Sequence, residues 1–471
     1  MQETNAGESR LNYKWWVMAA VSIGTFMATL DASIVNISLP TIMRALHTTM
    51  ASVQWVVTIY LLVITGLLLT LGRLADLIGR KHVFVAGYAI FTAGSLMCGL
   101  SHSINYLILF RAIQAIGAAM IMANGPAILT NAFPGNERGK ALGINAMVVA
   151  AGLTAGPALG GLLIAVSGWQ MIFFINLPIG IIGMIIVNRI LVSDDGGSAQ
   201  GFDIPGAVLL IACLVSLTMA LSDGVKLGWM SPAIIALFCA FAVCGTGFVI
   251  RELQASAPLL DLRLFGNPLF TFSSISALLS YVAMFCIAFL MPFYMSQVLN
   301  YPTEIMGLMM ITIPLTVALI APFSGALSDR IGSSVPGVVG MAVMSIGLLL
   351  VSRLGSSPER PAVVISLIVV GIGSGIFQSP NNSSIMGSVP PGFLGIAAGM
   401  LATMRNLGMV IGITLSGAIY MSRHNLYADS MHAVSADVRA FRDAFIVGSA
   451  IASIGIVTSA IKGMRGKGIK L

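Results

Sequence analysis

Three ionisable side chains, Asp31, Arg111 and Arg405, stand inside long apolar stretches of this chain. An ionisable group held out of water is costly and marks a functional position by default. Asp31 and Arg111 allow two kinds of chemistry. They can form a static ion pair, or the carboxyl can exchange protons: burial disfavours its charged form, a nearby guanidinium favours it, and the balance moves as access to water changes. Arg405 has no acidic residue at its depth in the second part of the chain. It can satisfy backbone carbonyls around Ser379 to Ser384, where Pro380 is expected to interrupt a helix, or bind an anionic group of a ligand; the first is the preferred expectation. The five histidines (His47, His82, His102, His424, His432) lie mainly in loops with no catalytic partner, and no phosphate-binding loop is present, so the chain is not expected to be an enzyme. The five cysteines lie in apolar runs and suggest neither a disulfide nor a metal site; no cofactor is expected.

The elements that must position these groups are membrane helices. Of 471 residues 57% are hydrophobic and 9% charged, with a mean hydropathy of +0.96, against roughly 25% charged in soluble domains. Apolar runs of about 18 residues or more recur, each able to cross ~30 Å of hydrocarbon. The first, from Trp15 to Pro40, is too long for a signal peptide and is expected to stay as a membrane helix. About fourteen spans are predicted, centred near Phe26, Val63, Ala93, Ala118, Gly152, Gly180, Cys213, Cys239, Leu279, Pro314, Val343, Gly371, Gly408 and Ala452. With both termini cytoplasmic, the cytoplasmic segments hold about fifteen Lys and Arg and the opposite loops about seven. The net charge of +7 is thus mainly topological, and no basic domain suggests nucleic acid.

The chain repeats itself. At an offset of 256 residues Gly117, Pro134, Gly139, Gly143, Gly152, Gly156 and Gly161 match Gly373, Pro390, Gly395, Gly399, Gly408, Gly412 and Gly417. "GRLADLIGR" (Gly72 to Arg80) returns as "GALSDRIGS" (Gly325 to Ser333) at an offset of 253. Two homologous halves of about six helices imply a transporter with a midplane site between them. The expected division is a cytoplasmic segment 1–14, an N-terminal six-helix bundle 15–190, a linker 191–265 with two inserted helices, a C-terminal six-helix bundle 266–463 and a cytoplasmic tail 464–471. Asn36, Gln114, Asn124, Met291, Gln297, Gln378, Asn381, Met404 and Arg405 are the candidates to line the cavity, with methionines offering an adaptable surface.

The charged loop Gly72, Arg73, Asp76, Gly79, Arg80, Lys81, with Asp329 and Arg330 in the second half, is either an anchor in lipid headgroups or a charge-paired latch at the cytoplasmic gate. Gly152, Gly156 and Gly160 recur every four residues beside Pro157 and Gly161, giving a smooth helix face on which a neighbour can pack closely.

"GRLADLIGRK" resembles the loop signature of the major facilitator superfamily, "RAIQAIGAAM" (Arg111 to Met120) its fourth-helix motif, and "GLTAGPALGG" (Gly152 to Gly161) its antiporter motif. "LDASIVNISLP" (Leu30 to Pro40) and "GWQMIFFINLPIG" (Gly168 to Gly180) are similar to the fourteen-helix drug:proton antiporter branch; Ala115 and Gln170 stand where the motifs usually carry Gly and Arg. The resemblance implies an all-α membrane protein of the major facilitator fold, two six-helix bundles plus two inserted helices, working by alternating access. It favours Asp31 as a proton-exchanging carboxylate with Arg111 as partner, and a fifth helix whose tight face seals against leakage. The expected function is proton-coupled export of amphipathic or aromatic compounds, including drugs, from a cell membrane. Its partners would be the lipid bilayer, a small-molecule substrate and protons, with the chain a monomer. Export of a specific endogenous solute, lipid-linked species or organic anion is the alternative; a non-transporting sensor or scaffold would need no buried Asp31. Asp31 with Asn36 is too thin an oxygen set for sodium coupling.

Overall fold

The computed structural model describes residues 2–192, 203–255, 262–390, 394–429 and 432–466. Residue 1 of the expected N-terminal segment, parts of the expected linker (193–202 and 256–261) and residues 467–471 of the expected tail lie outside the described residues.

Among the described residues fourteen helices are long and apolar enough to cross a membrane. They are α1 (Gln2–Ala45), α2 (Met50–Ile78), α3 (Arg80–Gly99), α4 (Ile104–Ala132), α5 (Arg138–Ser167), α6 (Met171–Ile190, interrupted at Ile175) and α7 (Ile204–Leu227). The rest are α8 (Pro232–Gln254), α9 (Pro268–Gln297), α10 (Thr303–Ile331, interrupted at Ile311), α11 (Ser334–Ser352), α12 (Arg360–Gly387), α13 (Leu394–Ala428) and α14 (Ala433–Gly466). Every expected centre falls inside its helix. Fourteen crossings return the chain to the face it started from, called here the terminal face; the opposite one is the far face.

Local chemistry sets the helix ends. The first turns of α2, α4 and α8 are capped by hydroxyls: Thr49 accepts from the Ser52 N–H (3.3 Å), Ser103 from Tyr106 (3.4 Å) and Ser231 from Ile234 (3.4 Å). Such donors find no partner in hydrocarbon and need one from the chain. Gly79 separates α2 from α3 at φ +97° and Gly332 ends α10 at φ +83°. Side chains rarely adopt this left-handed region, so both copies of the loop need glycine there.

Pro380 does not interrupt its helix: α12 runs unbroken through it. Proline has no N–H to offer the carbonyl one turn back, which here is Ile376. Ser324 of α10 supplies the missing donor, its Oγ 2.6 Å from that carbonyl.

Small residues bring the helices together in the same way in both halves. A side chain at Gly117 would collide with the backbone of Phe91 and Gly87, joining α4 to α3; one at Gly373 would collide with Met344 and Gly340, joining α12 to α11. Gly152, Gly156 and Gly160 press α5 onto α1, against Thr29, Ser33, Ile34 and Ile37. Gly408 and Gly412 press α13 onto α9, against Tyr281, Leu278 and Val282.

The halves meet at the far face. The place of a Gly161 side chain is taken by the Thr303 carbonyl, 2.8 Å away, and by Gly307, while Gly417 faces the amide of Gln54. Toward the terminal face the helices part: Gly139 and Gly143 on α5 and Gly399 on α13 have nothing within 4 Å of where a side chain would start. The molecule is thus closed at the far face and open at the terminal face. Of the inserted pair, α7 packs against both α2 and α13, with Gln54 Nε2 3.5 Å from Ser222 Oγ. Its mate α8 packs on α7, and only 6% of its most apolar stretch is buried.

Candidate functional site

Asp31 and Arg111 have no exposed surface and form a salt bridge through Arg111 Nη1 and Asp31 Oδ2. Close packing of α1 on the α5 glycines fixes the turn of α1 that carries Asp31, since Gly152 admits the backbone of Leu30 and Gly156 that of Ile34. Asp31 Oδ1 accepts two more hydrogen bonds, from Gln114 Nε2 (2.9 Å) and Asn176 Nδ2 (2.9 Å). Ser95 accepts from the same two amides, at 2.7 Å from Gln114 and 3.4 Å from Asn176.

Arg111 does not depend on Asp31 alone. Its Nε donates to the Val56 carbonyl (3.0 Å) and its Nη1 to Gln114 Oε1 (2.7 Å), and its guanidinium carbon lies 3.9 Å from the centre of the Tyr60 ring. Tyr60 is held in turn by its hydroxyl, which donates to the Ala28 carbonyl at 3.0 Å. If the carboxyl took a proton, the cation would keep a carbonyl, an amide oxygen and an aromatic face. The cluster joins five helices, α1, α2, α3, α4 and α6, all of the first half.

The remaining expected site residues are dispersed. Gln114 belongs to the ion-pair cluster and not to a cavity wall. Asn36 and Asn124 are buried and donate to the carbonyls one turn back on their own helices, Ala32 (3.4 Å) and Met120 (2.8 Å). Met291 is fully buried core, Gln297 is half-buried at the far end of α9, Gln378 donates to Ser374 (2.7 Å), and Asn381 donates to the Ser273 carbonyl (3.0 Å). Met404 packs on a small core of Phe270, Ile385, Ala397 and Met400. Arg405 alone of the set lines a cleft between the halves, whose walls include Ala28, Ala32 and Tyr60 on one side and Asn406 and Met409 on the other. Among the described residues it makes no bond to carbonyls 379–384, and the carbonyl that Pro380 leaves open, that of Ile376, accepts from Ser324.

In the charged loop Asp76 Oδ1 accepts from Arg80 Nη2 (2.8 Å) and Nε (3.1 Å), and Arg80 Nη1 donates to the Ala127 carbonyl of α4 (3.3 Å). Arg73 and Lys81 are half-buried. Gly72 is loosely packed, 3.8 Å separating the place of its missing side chain from Ala123. Asp329 and Arg330 are exposed, and neither forms an ion pair among the described residues. The ion pair shown in the loop, Asp76–Arg80, thus lies within the first half and does not link the two.

Asn176, Ser95, Tyr60 and the 2.5 Å pair Lys14–Glu137, which ties α1 to the entry of α5, were not singled out by sequence reasoning. For Asn176 a signal exists: it is the one polar residue between Gln170 and Asn188. An amide isolated in an apolar span needs a partner inside the bundle.

Known proteins share this arrangement of helices. A bacterial homolog of the human lysosomal transporter Spinster, in an inward-facing and unoccupied conformation, superimposes with a TM-score of 0.69 at 15% identity over 96% of this chain and 97% of the other. The POT family transporter PepTSo gives 0.67 at 15% identity, over 96% and 98%. In sequence the chain is 35% identical to the riboflavin transporter RibZ of Clostridioides difficile, over 95% of this chain and 97% of that protein. It is 30% identical to the multidrug transporter protein MdtP of Bacillus subtilis, over 90% and 79%. The profile of the major facilitator superfamily matches residues 21–413 and again 273–462, the second match covering the second half of the repeat, and the chain belongs to this superfamily of membrane transporters.

Proposed function

We propose that the chain is a proton-coupled antiporter of the cell membrane that exports amphipathic or aromatic compounds by alternating access. The observation that carries this reading is Asp31: a wholly buried carboxylate gathered among three donors, beside a cation that keeps other partners when the carboxyl is neutralised. A static strut has no need of such substitutes for Arg111. The terminal face, where the helices part, is the cytoplasmic one in this reading, in line with the lysine and arginine bias of the loops. Opening the far face would wet the neighbourhood of Asp31 and let it take a proton; return to the present state would restore the pair with Arg111 and release the proton inward.

Transport into inverted vesicles under an imposed pH gradient, across a panel of aromatic compounds, tests this. Asp31→Asn keeps the shape and two of the amide contacts but loses the titratable proton, so uphill accumulation should fall to background while exchange of labelled for unlabelled substrate persists. A variant that still concentrates substrate would remove Asp31 from the coupling. A second reading, export of one specific aromatic solute, is favoured by the 35% identity to a riboflavin transporter along nearly the whole chain. A panel containing riboflavin separates the two, because a specific exporter moves one compound and ignores the rest.

A further inference from the structure

The cleft between the halves lies on the turns of α1 that flank Asp31, at Ala28 and Ala32. Its walls follow the repeat. Leu153 and Met409, 256 residues apart, face it as an apolar pair, and Val149 faces it at the position equivalent to Arg405. The pairing is symmetric in place and asymmetric in charge.

Arg405 is half-buried, and among the described residues it has neither a hydrogen bond nor an ion pair. Asn406 beside it is buried, and its amide nitrogen has no acceptor among the described residues. The other polar groups of the cleft have their hydrogens committed elsewhere. Thr29 Oγ1 donates to the Thr25 carbonyl (2.8 Å) or that of Phe26 (3.1 Å), and the Tyr60 hydroxyl to Ala28 (3.0 Å). No carboxylate lines the cleft, and Asp31 is held by its own three donors. The site thus offers a positive charge and an unmatched amide donor, with only neutral oxygens (the Thr29 and Tyr60 hydroxyls and the Asn406 amide) and no carboxylate to answer them, set among Leu61, Ile64, Met122 and Met409. A buried donor left unmatched is costly, and a charged one more so, which makes an acceptor on the ligand the complementary group.

We propose that this cleft, only about 20 Å³ in the present state, widens during the cycle to seat the polar end of the substrate, and that Arg405 and Asn406 there select aromatic or amphipathic compounds bearing an anionic or acceptor-rich group in preference to organic cations. The proposal rests on the transport reading above and gives it a substrate charge. Met122 and Met409 suit the apolar body because their unbranched side chains adapt to varied shapes.

Two dyes that share a xanthene core separate the charges: fluorescein, an anion, and rhodamine 6G, a cation. Binding of each to the purified full-length protein, followed by fluorescence polarisation, needs no gradient, so this proposal and the transport reading fail independently. Fluorescein should bind more tightly than rhodamine 6G. Arg405→Gln should weaken fluorescein at least about tenfold, the loss expected for one charge-assisted hydrogen bond, and leave rhodamine 6G unchanged. Arg405→Glu should reverse the preference. Thermal unfolding of each variant guards against a fold defect: a Gln variant with native stability and the selective loss supports the site. Tighter binding of rhodamine 6G by the native chain would overturn the proposal. So would an equal loss of both dyes in Arg405→Gln, with or without a fall in stability.

Discussion

The two halves share a backbone and not a chemistry. The contacts of Gly152 with Leu30 and of Gly408 with Val282 place α1 over α9 at an offset of 252, and Gly79 and Gly332 keep the same left-handed turn. Within that common frame Asp31 corresponds to Ala283, Arg111 to Leu367, Gln114 to Val370, Ser95 to Leu348 and Tyr60 to Ile313. Each of these counterparts is buried and apolar. The comparison teaches that the polar cluster is dispensable for the six-helix fold, because the second half builds the same packing with hydrocarbon in its place. What the cluster adds is a buried ion pair, which the proposed coupling would use. Between α11 and α14 the second half instead buries a neutral hydroxyl group, that of Ser345, Ser449 and Ser453.

The strongest way to break this comparison is to transplant the second half's residue into the first. Arg111→Leu leaves Asp31 as an uncompensated carboxylate and should cost about 3–5 kcal/mol, seen as a large fall in the detergent unfolding temperature. Adding Asp31→Ala should restore most of that stability and none of the gradient-driven transport; a double variant as unstable as the single one would mean that the cluster holds the fold after all.

Packing, in contrast, should respond alike on both sides. Gly156→Ala drives a methyl into Ser33 and the Ile34 backbone, and Gly412→Ala drives one into the Val282 carbonyl. Overpacking of about 1–3 kcal/mol is expected for each, and unequal losses in unfolding experiments would show that the two seams differ in slack. Ser324→Ala, which leaves the Ile376 carbonyl unserved at Pro380, should cost about 1 kcal/mol. Hydrogen exchange confined to α12 would locate that loss.

The smallest effect on stability is expected at the charged loops. Asp76→Asn breaks a half-exposed pair worth at most about 1 kcal/mol. Turnover should slow more than substrate binding weakens, whereas Asp329→Asn, with no partner to lose among the described residues, should change neither. Equal slowing by both would show that the two loops work as copies.

Much of this fold is legible in the sequence because lipid imposes simple rules: spans must be apolar and long, and repeated glycines must repeat a packing. Asp31 and Arg111 are legible for the same reason, as charges where none belong. In the sequence the amide of Gln114 carries no mark of direction and suits a cavity wall as well as an ion pair; only the angle of α4 against α1 turns it to the carboxylate. Pro380 looks like a break in the sequence because the hydroxyl that relieves it, Ser324, lies 52 residues from the carbonyl it serves. Arg405 was then given a task already done. Each of these errors concerns a partner supplied by another helix, which spacing along one helix does not encode.

The inserted helix α7 bears on motion in a way that neither half does alone. It touches α2 on one side and α13 on the other and is tied to the far-face seam through Gln54 and Ser222, while α8 outside it stands almost wholly against lipid. A rocking motion of one half against the other would therefore shear the contacts of α7 with α2, with α13 or with both. If the two halves rock, lipid against the exposed face of α8 bears on that contact, so thicker or stiffer bilayers should alter the cycling rate of this chain while leaving its affinity for substrate untouched.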